Sequence, residues 1–423
     1  MSIEQPLTPS ALVCLTLCAR WDADALQRLR GLGAGGPPDW DGAARFAIAE
    51  GVAPLVYHTL REAGLALPAS AQAALRAAYY CTAQRNLLLA RELETALGAL
   101  EAAGVATILL KGAALTQSVY INPALRPMGD LDLLVQPQDI PAALDALIAL
   151  GYHNTSPEAR PGDAAKFENE LLLQRPEPDH APIELHWSLF DAPFYQHRLP
   201  IERFWETAQP VQVGAASTRV LCPPSQILHL CGHLLLHHRA SCPLATPDGA
   251  PQGRQPRAAA TPPRPAGGAQ TGRLLWLYDI AELALCHRER LDWPLVCSQA
   301  SDCALVCSLQ HVLPQVSALF PHAIGREVLS MVQTLRPEPH EARLVARLLA
   351  PRRPVLQRFW TDLAGMRPWR RRLAYAWRSL FPSPRYMQER YRISRRVLTP
   401  LYYPYRWLRG LAETLAPGRR KPG

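Results

Sequence analysis

The sequence predicts an α/β (α+β) fold in which a mixed sheet is flanked by N-terminal and C-terminal helical regions. Three observations carry this. Val105 to Leu110 is an apolar run too short for a buried helix and rich enough in branched residues for a buried strand, and it ends on Lys111-Gly112. Gly129 to Val135 and Ala181 to Trp187 alternate with the period of a strand. On either side of this middle stretch, before Gly104 and after about Pro224, apolar residues recur at helical spacing instead. A chain of 423 residues with 48% hydrophobic residue types is long enough and apolar enough to bury two or three cores.

In chain order, Ala25–Leu32, Ala43–Ile48, Val52–Leu60 and the long Ala71–Ala103 read as helices, broken at Gly33–Pro38 and near Pro68. The long helix sets Arg85, Arg91, Glu92, Glu94 and Glu101 against a Leu/Ala stripe, which makes Arg85 and Asn86 part of a solvated face. After the Lys-Gly turn a helical pattern runs to Tyr120, followed by a turn-rich connection containing Asn122, Pro123 and Pro127. Gln138–Leu150 is an amphipathic helix, Gly151-Tyr152-His153 opens a strand, and Glu168–Arg175 and Ala181–Trp187 are further strands. A helix from Pro224 carries His229, His233, His237 and His238. His-x-x-x-His is a zinc-ligand spacing, but Leu230 stands where a metalloprotease has its Glu, so the stripe reads as the lining of a cleft or of the interdomain surface. The organisation expected is a helical region over 1–104, a core over 105–222, a second helical region over 223–350 and a basic aromatic tail over 351–423. Residues 240–272, rich in Pro, Gly, Ala, Thr and Arg, read as a disordered insertion in the second helical region.

The chemistry concentrates in one stretch. Asp130 and Asp132 share a strand face while Leu131 and Leu133 point the other way. Two neighbouring carboxylates repel unless a cation sits between them, so the pair is a candidate metal site. LLKG…R…GDLDLLV (Leu109 to Val135) resembles the DNA-polymerase-β-like nucleotidyltransferase superfamily, and more closely a bacterial family of nucleotidyltransferase-like proteins in which Lys-Gly replaces Gly-Ser. ARELETALGALEAAGV, IELHWSLF, LHLCGHLLLHH and RLLWLYDIAELA extend the resemblance over roughly residues 40 to 320.

The resemblance implies a polymerase-β-like nucleotidyltransferase core that transfers a nucleoside monophosphate from a nucleoside triphosphate (NTP) to an acceptor the sequence does not name. Asp130, Asp132 and Glu184 would hold Mg²⁺ or Mn²⁺ and form the catalytic carboxylates, Glu184 also helping to deprotonate the acceptor. Lys111, Gly112 and Arg126 would bind the nucleotide, the Lys-Gly turn at its phosphates and Arg126 at the departing pyrophosphate. His186 lies on the Glu184 face and either orients that carboxylate, touches a phosphate or packs. His233 belongs to the cleft-lining stripe, and Asp279, among Trp276, Leu277, Tyr278 and Ile280, faces the cleft or pairs with an Arg. Lys-Gly in place of Gly-Ser removes a hydroxyl, and the separation of Gly112 from Asp130 is longer than usual in the superfamily. The alternative is therefore a catalytically weak or inactive nucleotide-binding accessory protein acting through partner or membrane contacts.

The net charge of +9 is unevenly placed. About 18 Arg and Lys against about 3 acids fall between Arg352 and Gly423, leaving the rest of the chain near −6. The basicity belongs to the tail and is no strong nucleic-acid signal for the core. In the tail, Arg alternates with Trp360, Trp369, Trp377, Tyr386, Tyr391, Tyr402, Tyr403, Tyr405 and Trp407, a composition suited to peripheral membrane or protein contact, with Tyr386–Val397 the candidate helix on the lipid. Ten cysteines without a Cys-x-x-Cys, and no signal peptide, point to the cytoplasm. No apolar run approaches 18 residues.

Overall fold

The computed structural model describes residues 7–32, 38–120, 122–155, 169–177, 180–190, 192–196, 198–237, 273–349 and 359–415 except 361, 362, 364, 367, 368 and 394. The expected insertion at 240–272, the break at 33–37 and His238 lie outside them. Four helices open the chain: α1 (Pro9–Cys18), α2 (Ala23–Arg30), α3 (Trp40–Ala49) and α4 (Ala53–Glu62). Side-chain oxygens start three of them, with Thr8 accepting from Ala11 N, Asp22 from Asp24 N and Asp39 from Gly42 N. The long helix α5 (Ala69–Ala102) follows and stops where Gly104 takes a left-handed φ of 73°.

α5 is 34 residues long, roughly 50 Å at 1.5 Å per residue. Its first half (Ala71, Leu75, Tyr79) is buried in a helical core shared with α1, α3 and α4. Its second half (Leu89, Leu93, Ala96, Leu97, Leu100) is buried in the core beneath the sheet. The solvated face expected around Asn86 is corrected here: Asn86 is 1% exposed and its amide donates to Pro123 O (2.5 Å) and Arg126 O (2.7 Å). A polar residue on a helix face can be satisfied by a distant loop as well as by water, and helical periodicity does not distinguish the two.

The sheet has seven strands in the order β3-β4-β5-β2-β1-β7-β6. They are β1 (Ile108–Leu109), β2 (Leu131–Leu134), β3 (His153–Asn154), β4 (Glu170–Gln174), β5 (Ile183–His186), β6 (Gln209–Val213) and β7 (Ala216–Val220). β2–β5 and β1–β7 pair in parallel and the other neighbours antiparallel, so the sheet is mixed as expected. Leu131, Leu133, Leu134 and Val135 are completely buried, the signature of a strand covered on both faces. Between strands run α6 (Lys111–Ser118), α7 (Ile140–Ala149) and α8 (Ile201–Glu206). A 3-10 turn over Pro137–Asp139 precedes α7, so the regular helix starts later than the pattern from Gln138. The β6–β7 hairpin, turning at Gly214, was not anticipated. Its alternating residues are half exposed and mostly polar, which weakens the apolar signal of a strand.

The C-terminal helices are α9 (Pro223–Leu236), α10 (Arg273–Cys286), α11 (Trp293–Asp302), α12 (Val306–Leu319), α13 (Arg326–Thr334), α14 (Pro339–Leu349), α15 (Trp369–Leu380), α16 (Pro384–Tyr391) and α17 (Tyr402–Leu415). Buried residues of α9 to α12 join those of α1, α3 and α4 in a single core. Arg20 Nη2 and Trp21 Nε1, beyond α1, both reach Glu282 on α10 at 2.8 Å. The expected helix over Tyr386–Val397 is corrected: α16 ends at Tyr391 because Arg392 takes a φ of 51°, and Met387 in its middle is wholly buried. No described helix is long and apolar enough to cross a membrane.

Candidate functional site

Four pieces of backbone meet at one end of β2. The first is the corner between β1 and α6. Leu110 is extended, and Lys111 takes a left-handed φ of 45°, a conformation that costs a non-glycine residue about 1–3 kcal/mol. The corner is held on both sides, with Leu110 N donating to Asp132 O (3.0 Å) and Ala114 N to Leu110 O (3.1 Å). The outcome is a lysine aimed at the acidic strand. Its Nζ lies 2.7 Å from Asp132 Oδ1 and 3.0 Å from Glu184 Oε2.

The second piece is the parallel pairing of β2 with β5, which sets Asp132 beside Glu184 and Leu134 beside His186. Register alone thus makes the two carboxylates neighbours. Asp130 lies just before the first residue of β2, half-buried. The third piece is β4, antiparallel to β5, which sets Glu170 opposite His186. His186 is buried among three acids: Nε2 is 3.0 Å from Asp132 Oδ1 and 3.6 Å from Glu184 Oε2, and Nδ1 is 3.0 Å from Glu170 Oε2. Asp132, Glu184 and His186 each offer a ligand atom, and the three atoms lie within 4.8 Å of one another.

These contacts decide the protonation states. Burial alone would lower the His186 pKa, but its hydrogen bonds to Asp132, Glu170 and Glu184 outweigh that and hold it well above the ordinary imidazole value. Burial would likewise lower Lys111, and Asp132 and Glu184 reverse the effect, so the ammonium stays charged. Glu184 is pulled well below the usual carboxylate range, its burial outweighed by His186 and Lys111. Asp130 goes the other way, pushed up to about 7 by burial and then by the negative charges of Asp132 and Glu184, against the smaller opposite pull of Lys111 and Arg126.

The fourth piece is the loop before β2. Arg126 is buried, with Nη2 2.9 Å from Asp279 Oδ2 and Nε 3.4 Å from Asp279 Oδ1, and Asp279 Oδ1 also accepts from Tyr120 OH at 2.8 Å. Of the two readings of Asp279, pairing with an arginine is the one observed. The guanidinium lies against Gly112: a Cβ there would overlap Arg126 Nη1 and come within 3.1 Å of Met128 Cγ. Glycine at 112 therefore has a steric reason besides access to its backbone amide. His233 lies elsewhere, on α9 between the rings of His229 (6.2 Å), His237 (4.7 Å) and Trp276 (6.4 Å).

A family model described as that of an uncharacterised nucleotidyltransferase matches residues 36–321, about two thirds of the chain. The chain belongs to that family. No curated protein and no solved structure matches it. The matched span of this nucleotidyltransferase family runs from before α3 to the end of α12 and contains every residue of the cluster just described.

Three residues in and around the cluster have contacts that sequence reasoning did not assign. Glu170 opens β4, whose sequence Glu-Leu-Leu-Leu-Gln gives no hint of His186, and only the β4–β5 register supplies one. Asn86 fastens the Arg126 loop from a helix some forty residues upstream. His229 is buried, and its Nε2 has no hydrogen-bond partner among the described residues. Burial first, and then the positive charges of Lys111, His186 and His237, keep that ring neutral, with its pKa well below the ordinary value. The one available signal was the helical spacing of His229 within the histidine stripe.

Proposed function

We propose that this chain transfers a nucleoside monophosphate from an NTP to an acceptor, with the carboxylate cluster of β2 and β5 as its reactive centre. The observation that carries the reading is the register pairing of Asp132 with Glu184, bridged by the Lys111 ammonium. Carboxylates held this close want a cation, and the oxygen donors of Asp132 and Glu184, with Asp130 beside them, fit Mg²⁺ or Mn²⁺, hard cations that favour oxygen ligands. A divalent cation bound there would neutralise phosphate charge and polarise the α-phosphate.

The chain's own groups supply the remainder. Lys111 Nζ would turn from the carboxylates to the phosphate oxygens, and the strained corner that aims it would keep its reach short. Arg126, fixed by Asp279 against Gly112, would stabilise negative charge on the leaving pyrophosphate. In an in-line displacement the acceptor oxygen bonds to the α-phosphorus as the bond to pyrophosphate breaks, and the acceptor's proton passes to a carboxylate of the cluster. His186 would hold Asp132 and Glu184 in place through Nε2, with Nδ1 tied to Glu170.

A second reading draws on the same contacts. Lys111 and His186 already give Asp132 and Glu184 two cationic partners, which also suits a catalytically weak or inactive nucleotide-binding accessory protein. The two readings separate when purified protein is incubated with α-³²P-labelled NTPs, Mg²⁺ or Mn²⁺ and a cell extract. Nucleotidyl transfer gives labelled acceptor with the wild type and none with Asp130→Ala/Asp132→Ala. NTP binding without label transfer favours the accessory protein, and absence of NTP binding sinks both.

A further inference from the structure

α15 is amphipathic in the inverse sense to a packed helix. Trp369, Leu373, Trp377 and Leu380 are 63%, 60%, 56% and 45% exposed. Their spacing of four, four and three residues confines them to about 80° of the helix circumference at 100° per residue. The opposite side is the one turned to the protein: Arg371 donates to Gln196 Oε1 (2.8 Å), and Tyr375 stacks on Phe359. The outward apolar stripe is flanked by arginines on both sides. Arg370 lies over the Trp369 ring at 5.7 Å and Arg372, also exposed, borders the other edge. α17 repeats the pattern with Leu401, just before it, Tyr405 and Leu408, 69%, 50% and 67% exposed. The two helices touch where Trp407 Nε1 donates to Leu380 O (2.9 Å).

Eleven of the eighteen large apolar side chains that are exposed among the described residues lie beyond residue 359. Between Asp362 and Glu389 the sequence has no acidic residue and six arginines. We infer that α15, with α17 beside it, is a docking surface for an anionic lipid bilayer. The helix lies in the plane of the interface, with its Trp/Leu stripe in the acyl boundary and its arginines among the headgroups. The side-chain chemistry favours lipid over the other basic-surface partners. Leu373 and Leu380 offer nothing to a stacked base or a phosphate, whereas leucine between two tryptophans, with arginine along both edges, matches an interface that is apolar below and anionic above. α13 to α17 lie beyond the family match, and the surface sets the matched span beside a membrane that no described helix is long and apolar enough to cross.

The test is flotation of the full-length protein with neutral phosphatidylcholine vesicles and with mixed phosphatidylcholine–phosphatidylglycerol vesicles, with and without added salt. Binding to the anionic vesicles that salt weakens, with partitioning about tenfold or more lower for Trp369→Ala/Trp377→Ala, supports the inference. Both side chains are more than half exposed, so the variant should melt like the wild type. Quenching of wild-type tryptophan fluorescence by brominated acyl chains gives a second readout that needs no variant. Failure to float with anionic vesicles overturns the inference, as does flotation that the variant leaves unchanged. So does a wild type whose stripe instead drives dimerisation or single-stranded nucleic-acid binding that the variant abolishes.

Discussion

Replacing Asp279 with leucine should unfasten the nucleotide site from a distance. Asp279 is 1% exposed and accepts from two guanidinium nitrogens of Arg126 and from the Tyr120 hydroxyl. Leucine fills a similar space but leaves a buried, permanently charged guanidinium with one acceptor among the described residues, Pro127 O at 3.2 Å, and the Tyr120 hydroxyl without the carboxylate it donates to. Breaking a buried pair from one side costs about 3–5 kcal/mol, and a stranded hydroxyl about 1–3 kcal/mol. The two overlap, so a loss of about 4 kcal/mol is expected, a large fraction of the roughly 5–15 kcal/mol that holds a typical domain folded. Urea unfolding followed by far-UV circular dichroism measures it. The double variant Arg126→Leu/Asp279→Leu removes both charges and should recover most of the loss, while NTP affinity stays low because the guanidinium is gone. Asp279→Asn, which keeps acceptor oxygen for Arg126 and Tyr120, should cost distinctly less than leucine. If Asp279→Leu cost under about 1 kcal/mol, or the double variant were no more stable than the single, the view that Asp279 exists to hold Arg126 would be wrong.

Gly112→Ala should cost about 1–3 kcal/mol and weaken NTP binding, because its methyl group displaces an arginine that Asp279 prevents from yielding. An unchanged thermal midpoint would show that Arg126 moves freely. Asp132→Asn should abolish the added thermal stability that NTP with Mg²⁺ gives the wild type, and a shift of full size in the variant would remove Asp132 from the metal site. His229 is buried and neutral, its folded-state pKa below the unfolded value, so at acid pH the unfolded chain binds the proton that the folded chain refuses. Its contribution to stability is therefore present above the unfolded imidazole pKa and is lost as pH falls below it, by about 1.4 kcal/mol per unit. Unfolding free energies at pH 7 and pH 5 should diverge between wild type and His229→Gln, the variant being the less acid-sensitive, and parallel pH dependences would contradict the assignment.

What the sequence disclosed about this site followed local rules. Asp130 and Asp132 could be found because a two-residue period and four apolar neighbours define a buried strand, and Glu184 because a second strand showed the same alternation. Lys111-Gly112 stood out as a strand-to-helix corner, although only coordinates reveal that it is the lysine that takes the left-handed φ. What stayed hidden depends on pairings between distant segments. Glu170 meets His186 by β4–β5 register, Asp279 meets Arg126 from 153 residues away, and Asn86 reads as an ordinary polar position until the loop that it clamps is seen. The β6–β7 hairpin was hidden differently, because an edge pair with half-exposed polar residues lacks the apolar run that marks a strand. In the tail, basic and aromatic composition pointed to a surface role, but the outward stripe lies on α15 and not in the segment from Tyr386 to Val397.

The position of α5 imposes an order on biosynthesis. Its first half can pack against α1, α3 and α4 as soon as it leaves the ribosome, since those helices precede it. Its second half has to wait. Leu89, Leu93, Leu97 and Leu100 find their cover only in strands and helices made later, and β7, which lies between β1 and β6, is completed at Val220, more than a hundred residues on. Throughout that interval the nascent chain displays an apolar helix face about three turns long. Holdase chaperones bind such faces, and the late strand pairings that finally cover it make the sheet half the slower to form. Slowing translation downstream of residue 102 would prolong this exposure, so yield in the cell should respond more to codon choice between α5 and β7 than to codon choice within the helices that come first.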